Sequence, residues 1–213
     1  MIRGAIFDLD GTLLDSMDVW NTAAARWLES RGIRAEKDLG KKVLRMSLPQ
    51  AADYLKRTYA LPDAPEKIIA EAAAFAREGY ERAPLKAGAA DFLRRLRRSG
   101  VKLCVATATE ASLAEAALEK NGVADDFVGI VTCASVGRGK DAPDVYEAAL
   151  ARLGVPKSET AVFEDALHAA ETAKRAGFFV VGVYDRHEPE KAALRRLADL
   201  YTVDYAGLDA LFE

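Results

Sequence analysis

The segment from Ile2 to Leu14, IRGAIFDLDGTLL, constrains the fold of this chain more than any other. It contains a short apolar run, Ala5-Ile6-Phe7, and then two carboxylates, Asp8 and Asp10. An apolar run of this length that ends at turn residues is typical of a buried strand. Ligands bind at the carboxyl ends of the strands in an open α/β sheet, so the two aspartates are candidate site residues.

Asp8 and Asp10 would repel each other at such an edge unless a positive charge offsets them. A hard divalent cation with oxygen ligands is the usual solution in proteins. The alternative is an ordinary polar turn, in which the aspartates accept hydrogen bonds from backbone amides and Gly11 supplies a permissive dihedral angle. The residues that follow the other predicted strands distinguish between these two interpretations.

Length and charge narrow the classes of function. Half of the 213 residues are apolar, which allows one substantial core and a smaller insert. The net charge of −3 arises from 30 basic and 33 acidic residues that are mixed along the chain, so there is no basic stripe to hold nucleic acid or an anionic membrane. No apolar run approaches the length of a membrane span, and the chain begins with a strand instead of a signal-type segment. We therefore expect a soluble, cytoplasmic monomer with no nucleic-acid or membrane partner.

The two cysteines, Cys104 and Cys133, lie in apolar, strand-like surroundings without C-x-x-C spacing. We expect buried free thiols that serve packing, and neither a disulfide nor a zinc site.

Residues 16–83 carry a helical pattern. Ser16 is placed to cap a first helix that ends near Gly32, and apolar residues recur at three- and four-residue spacing up to about Ala83. The pattern changes at Pro84, where a loop begins. Residues 16–83 are thus predicted to form an all-helical insert in a core domain made of residues 1–15 and 84–213.

Predicted strands and helices alternate after Pro84. The strands are expected at 101–106, 127–131, 160–163, 178–183 and 200–203, and the helices at 89–99, 112–120, 143–153, 166–176 and 188–198. The helix at 112–120 has a possible capping box in Ser112-x-x-Glu115. Such alternation predicts an α/β fold with a parallel, Rossmann-like sheet that carries helices on both faces.

Three further predicted strands lead to residues that suit a phosphate or a metal. Thr107 and Thr109 follow the second strand, Lys140 follows the third, and Glu164-Asp165 ends the fourth. Each residue has an ordinary alternative role: a hydroxyl bonded to nearby backbone, a solvated lysine, or a helix cap. These alternatives do not explain why four strand ends would bring two carboxylate pairs, a hydroxyl and an ammonium to one edge of the sheet.

Taken in order, these motifs resemble the four motifs of the haloacid dehalogenase (HAD) superfamily. The residues that carry the resemblance are Asp8-Leu9-Asp10-Gly11-Thr12-Leu13, Thr107, Lys140-Asp141-Ala142-Pro143-Asp144 and Glu164-Asp165. The helical insert directly after the first motif is similar to the cap of the subgroup that contains β-phosphoglucomutase and phosphoglycolate phosphatase. The resemblance spans nearly the whole chain and implies a Rossmann-like core, a mobile helical cap and Mg²⁺-dependent phosphoryl transfer.

The resemblance also implies roles for individual residues. Asp8 is expected to be the nucleophile that forms an aspartyl phosphate, and Asp10 the general acid and base. Mg²⁺ is expected to bind to Asp8, the backbone carbonyl of Asp10, Glu164 and Asp165. Thr107, Lys140 and the amides around Ala108 are expected to hold the phosphate.

We expect a phosphatase that acts on a small phosphorylated metabolite, such as a sugar phosphate or a phosphorylated acid. The first alternative is a mutase of the β-phosphoglucomutase type, although Trp20 and Ser47-Leu48 stand where that enzyme has a histidine and an arginine. The second alternative is a catalytically silent regulator that binds a phosphosugar. Relatives also often have polar residues where this chain has Ala108 and Ala166. Candidates for substrate recognition in the helical insert are Trp20, Lys41, Lys42, Arg45 and Lys56.

Overall fold

The computed structural model describes residues 1–43, 46, 48–206 and 208. The chain divides into two compact units, one formed by Met1–Asp15 with Pro84–Glu213 and the other by Ser16–Ala83. In chain order the strands and helices are β1 (Gly4–Phe7), α1 (Met17–Ser30), α2 (Leu39–Val43), α3 (Leu48–Thr58), α4 (Pro65–Tyr80), α5 (Ala89–Arg98), β2 (Lys102–Thr107), α6 (Ala111–Lys120), β3 (Ile130–Thr132), α7 (Cys133–Val136), α8 (Asp144–Leu153), β4 (Thr160–Glu164), α9 (Leu167–Arg175), β5 (Phe179–Val183), α10 (Lys191–Leu197) and β6 (Leu200–Thr202).

The first unit is built on a parallel sheet whose described strands lie in the order β3-β2-β1-β4-β5-β6. The predicted α/β fold with a Rossmann-like parallel sheet is confirmed. Strand β1 is fully buried at the centre, where Ile6 pairs with Cys104 of β2 and with Val162 of β4. The chain order reverses at β1 and β4, and this switch point is where open α/β sheets bind ligands.

An aromatic cluster fixes the segment after β6 against the sheet. The rings of Phe7 and Phe163 stack with centroids 4.3 Å apart, and Tyr205 lies 5.3 Å from Phe92 and 6.3 Å from Phe163. The hydroxyl of Tyr205 donates to the backbone oxygen of Thr12 at 3.0 Å. Residues late in the chain therefore support the loop that follows β1.

Several local predictions were wrong. Helix α6 has Glu110 at its N-cap, and the Glu110 side chain accepts from the amide of Ser112, so the capping box at Ser112 does not form. The third strand is shorter than predicted, and Cys133 begins helix α7 instead of lying in a strand. Both cysteines are free, with Cys104 buried in β2 and Cys133 half-buried. Burial raises the pKa of the Cys104 thiol to about 11.

The second unit consists of α1 to α4, as far as the structure describes it. Its core contains Trp27 and Leu28 of α1, Leu55 of α3 and Ile68 of α4. Among the described residues, no helix of either unit combines the length and apolar character that a membrane span requires.

Candidate active site

Asp8 lies directly after the central strand. Its amide donates to the oxygen of Phe163 at 3.0 Å, which continues the pairing of β1 with β4 by one residue. The chain then turns sharply, because the amides of Leu13 and Leu14 both donate to the oxygen of Leu9. The pairing with β4 thus places Asp8, which is only 6% exposed, at the switch point of the sheet, directly before this turn.

Three carboxylates converge at this position. Asp8, Glu164 and Asp165 are all buried, and each offers an oxygen within 4.8 Å of the oxygens offered by the other two. Glu164 ends β4 and Asp165 follows it, so the pairing of β1 with β4 brings the acidic groups together. Three buried carboxylates in one place are electrostatically unfavourable without cations.

Lys140 supplies one positive charge to this cluster. Its ammonium donates to the carboxylate of Asp8 and, at 2.6 Å, to Oε1 of Glu164. The side chains of Lys140 and Glu164 are 8% and 1% exposed, so the ion pair is largely removed from water. One ammonium offsets one of the three carboxylates, and the cluster still favours a further cation.

The pKa values of these groups reflect burial and mutual repulsion. Burial raises the pKa of Asp8 against the opposing attraction of Lys140, and repulsion from Glu164 and Asp10 adds to the rise, so that the pKa is about 7. Burial likewise raises the pKa of Asp165, with repulsion from Asp8 and Glu164. Burial disfavours the charge of Lys140, but attraction to Asp8 and Glu164 outweighs it, so the pKa of Lys140 is raised. The lysine is therefore an ammonium at neutral pH.

The two oxygens of Glu164 differ in their partners. Oε1 accepts from Lys140 and from the hydroxyl of Tyr146 at 2.7 Å, whereas Oε2 is buried and has no hydrogen-bond partner among the described residues. A buried oxygen without a donor costs about 1–3 kcal/mol unless a ligand satisfies it. The orphaned oxygen and the all-carboxylate donor set fit a hard cation such as Mg²⁺.

Thr12 and Gly11 hold Asp165 in place. The hydroxyl of Thr12 donates to Oδ1 of Asp165 at 2.9 Å. Gly11 has a φ of +82°, and a Cβ at this position would collide with the carboxylate of Asp165. Only glycine allows the motif loop to approach the carboxylate this closely.

Asp10 and Thr107 lie at the ends of neighbouring strands. Oδ2 of Asp10 accepts from the hydroxyl of Thr109 at 2.6 Å, and Oγ1 of Thr107 accepts from the amide of Thr109 at 3.0 Å. Thr107 thus makes the local backbone bond that its ordinary role predicts. That bond uses only a lone pair, so the hydroxyl hydrogen remains able to donate to another oxygen.

The structure brings Asp8, Lys140, Glu164 and Asp165 into direct proximity, and Asp10 is linked to the end of β2 through Thr109. Sequence reasoning missed Tyr146 and the contact of Thr12 with Asp165. Thr12 belongs to the first motif, Asp8 to Leu13. Tyr146 occupies a buried position of α8, where its spacing indicates packing and no role at the site.

Two of the basic residues proposed for substrate recognition in the helical insert bond to other residues of the insert. Lys42 pairs with Glu36 at 2.6 Å, and Lys56 donates to the backbone oxygen of Asp63 at 2.5 Å. Trp20 lies 5.2 Å from the ring of Tyr80 and lines a cavity of about 230 Å³ within the second unit. Arg45, Ser47 and the side chains of Lys41 and Leu48 lie outside the described residues.

Comparison with known proteins identifies the family. Residues 2–177 match the family model of haloacid dehalogenase-like hydrolases. The validoxylamine A 7'-phosphate phosphatase of Streptomyces hygroscopicus subsp. limoneus is 32% identical over 91% of each chain. The phosphorylated carbohydrates phosphatase of Thermotoga maritima is 29% identical over 83% of this chain and 82% of its own. This chain therefore belongs to the haloacid dehalogenase-like hydrolases, and the prediction of an enzyme of this class is confirmed.

The solved structures agree with the predicted subgroup. A crystal structure from Thermotoga maritima, provisionally assigned as a beta-phosphoglucomutase, aligns over 94% of both chains with a TM-score of 0.84 and 26% identity. The resemblance to the subgroup that contains β-phosphoglucomutase is thus confirmed.

Proposed function

We propose that this chain is a Mg²⁺-dependent phosphatase that hydrolyses a small phosphorylated metabolite by way of a phosphoryl group carried on Asp8. The single observation that carries the proposal is the convergence of Asp8, Glu164 and Asp165 around Lys140 at the switch point of the sheet. A strongly acidic, buried cluster with one ammonium suits a reaction in which a cation and a phosphate dianion enter together.

The names of two relatives support the proposed substrate class. Two of the phosphatases that match this chain act, by their names, on validoxylamine A 7'-phosphate and on phosphorylated carbohydrates. We propose a sugar phosphate or a phosphorylated acid of similar size. A single chain supplies Asp8, Lys140, Glu164 and Asp165, so a monomer is the proposed working unit.

The proposed metal ligands are Asp8, the backbone carbonyl of Asp10, Glu164 and Asp165. The buried and unpartnered Oε2 of Glu164 supports this assignment because a cation would satisfy it. Bound Mg²⁺ would offset the repulsion between a carboxylate nucleophile and a phosphate dianion.

In the first step, an ionised oxygen of Asp8 attacks phosphorus, and the bond from phosphorus to the alcohol oxygen breaks. Asp10 in its acid form gives its proton to the departing oxygen. The hydroxyl of Thr109 donates to Oδ2 of Asp10, which orients this carboxyl group.

In the second step, Asp10 is ionised and takes a proton from water, and the water oxygen attacks the phosphoryl group on Asp8. The bond from phosphorus to the Asp8 oxygen breaks, which releases inorganic phosphate and restores both carboxyl groups. Lys140, the hydroxyl of Thr107 and the amides around Ala108 are proposed to hold the phosphoryl oxygens in both steps.

The helical unit is proposed to act as a cap over the reaction. Its selectivity would come from side chains such as Trp20, Lys42 and Lys56, which meet the leaving group after closure. Trp20 stands nearest to the position where the mutase has a histidine that helps to hold the sugar bisphosphate. The lack of that histidine supports water, rather than a sugar hydroxyl, as the acceptor of the phosphoryl group.

A mutase is the second candidate, and the structural similarity to a beta-phosphoglucomutase-like protein favours it. The decisive experiment gives the enzyme β-glucose 1-phosphate with catalytic glucose 1,6-bisphosphate and measures free phosphate and glucose 6-phosphate together. A phosphatase releases phosphate at least as fast as it forms glucose 6-phosphate, if the sugar reacts at all. Clean conversion to glucose 6-phosphate with negligible phosphate release would replace the phosphatase assignment with the mutase assignment.

The substrate class is tested by a panel of phosphate monoesters in Mg²⁺, with phosphate release as the measurement and Asp8→Asn as the control. The wild-type enzyme should release phosphate from sugar phosphates or small phosphorylated acids, and Asp8→Asn should not. Binding of phosphosugars without turnover of any panel member would instead favour the regulator.

A further inference from the structure

Tyr146 is a buried tyrosine whose hydroxyl faces the carboxylate cluster. Its side chain is fully buried on α8 and packs against Phe178, with ring centroids 6.3 Å apart. The hydroxyl donates to Oε1 of Glu164 at 2.7 Å. A tyrosine used only for packing could be a phenylalanine, so the hydroxyl calls for an explanation.

Glu164 receives two donors on one oxygen. The hydroxyl of Tyr146 and the ammonium of Lys140 both bond to Oε1, and Oε2 remains buried without a hydrogen-bond partner among the described residues. The terminal torsion of a glutamate is broad and nearly two-fold, so a carboxylate with a single donor can rotate or exchange its oxygens. Two donors on Oε1 restrict this rotation.

We propose that Tyr146 is a positioning residue that holds Oε1 of Glu164 and thereby presents Oε2 to the metal ion. This inference rests on the proposed function, because it assumes that Mg²⁺ binds at the carboxylate cluster. Tyr146 acts through Glu164 and touches neither the substrate nor the metal.

The surroundings of Tyr146 enforce the direction of this hydrogen bond. An ionised carboxylate can only accept, so the phenol must donate to Glu164. The ammonium of Lys140 lies 5.8 Å from the centroid of the tyrosine ring, which places ring, ammonium and carboxylate in one compact group.

Asp165 shows the same arrangement with a different hydroxyl. Thr12 donates to Oδ1 of Asp165, and Tyr205 in turn donates to the backbone oxygen of Thr12. Each of the two consecutive acidic residues thus has one oxygen held by a hydroxyl. Partners of this kind typically change metal affinity by about tenfold to a hundredfold when they are removed.

The test compares Tyr146→Phe with the wild-type protein after removal of bound metal. Titration calorimetry with Mg²⁺ alone should show an affinity weaker by about tenfold or more in the variant. In assays of phosphate release, the Mg²⁺ concentration for half-maximal activity should rise by a similar factor. The kcat of the variant at saturating Mg²⁺ should stay within about threefold of the wild-type value, because a high Mg²⁺ concentration compensates for the weaker binding.

Thr160→Val is the control, because it removes an equally buried hydroxyl that donates to the backbone oxygen of Pro156 at the other end of β4. This control should lower the melting temperature and leave the Mg²⁺ affinity within about twofold. If Tyr146→Phe binds Mg²⁺ as tightly as the wild type, or no more weakly than Thr160→Val, the positioning role is wrong although the phosphatase proposal stands. If the wild-type protein binds no Mg²⁺, both the positioning role and the proposed metal dependence are wrong.

Discussion

The ammonium of Lys140 lies 2.6 Å from Oε1 of Glu164, in an ion pair that is almost completely removed from water. The same ammonium contacts Asp8, so one lysine joins the end of β1 to the end of β4. Removing one partner from such a buried pair leaves an uncompensated charge, which is more costly than the loss of an exposed ion pair.

Lys140→Met should therefore lower the free energy of unfolding by about 3–5 kcal/mol in the absence of metal. The control is Arg3→Met, because Arg3 pairs with Glu159 at 3.0 Å on the surface of the same unit. That change should cost about 1 kcal/mol or less. Urea unfolding of both variants in a chelator, followed by circular dichroism, gives the comparison. Equal losses would mean that the buried pair contributes no more than a surface pair.

Mg²⁺ should stabilise the wild-type protein by mass action, by about 2.7 kcal/mol at a hundred times its dissociation constant. Asp165→Asn keeps the size of the side chain and an oxygen that can accept from Thr12, but it removes a charged ligand. The rise in melting temperature with Mg²⁺ should largely disappear in this variant, together with turnover. If the wild-type protein melts at the same temperature in Mg²⁺ and in chelator, the carboxylates form a purely structural network and do not bind the metal.

Gly11→Ala should disturb the site as well as the backbone. Both Gly11 and Gly177 have a positive φ, at +82° and +86°, so alanine is strained by about 1–2 kcal/mol at either position. At Gly11 the new Cβ would also collide with the carboxylate of Asp165, whereas nothing lies within 4 Å at Gly177. Gly177→Ala should therefore keep its activity and its response to Mg²⁺, and Gly11→Ala should lose both. Thermal melts with and without Mg²⁺, together with phosphate release, distinguish the two variants.

Asp63 should make the helical unit sensitive to acid. Hydrogen bonds from Lys67 at 2.8 Å and Arg31 at 2.5 Å lower the pKa of Asp63 from 3.8 to about 2. A lowered pKa in the folded state gives stability that is fully present above the unfolded pKa and is lost as pH falls towards the folded pKa. The wild-type protein should have a larger free energy of unfolding than Asp63→Asn at neutral pH, and this difference should shrink below about pH 4.

Tryptophan fluorescence can follow this loss, because both tryptophans, Trp20 and Trp27, lie in the second unit. Asp53→Asn, on the exposed surface of α3, serves as the control for removal of a carboxylate. If the difference in free energy of unfolding between the wild type and Asp63→Asn stays constant from pH 7 to pH 3, the lowered pKa of Asp63 is contradicted.

The sequence was most informative where chain topology decides the outcome. Alternating strands and helices imply a parallel sheet, and in a parallel sheet Asp8, Lys140 and Glu164 must approach the same edge. Their mutual contacts follow from that topology together with the pairing of β1 with β4. The turnover of variants tests the roles of these residues in catalysis.

Local detail was less predictable because several residues compete for the same role. Glu110 takes the N-cap of α6 although Ser112 is a more common capping residue. Tyr146 follows Val145 and precedes Ala149 and Leu153 on the buried face of α8, so its spacing indicates packing alone. Its hydrogen bond to Glu164 depends on how α8 packs against the sheet, which no local pattern reveals.

The most direct test of the central claim is the turnover of Asp8→Asn. Asparagine keeps the shape of the side chain but removes its charge and its nucleophilic oxygen, so the folded variant should lose at least about a thousandfold in kcat on the best phosphate monoester of the panel. The measurement is phosphate release in saturating Mg²⁺, with circular dichroism and melting temperature to show that the variant is folded. Loss of turnover in a folded protein is the predicted result. Turnover of folded Asp8→Asn within tenfold of the wild type would contradict phosphoryl transfer through Asp8.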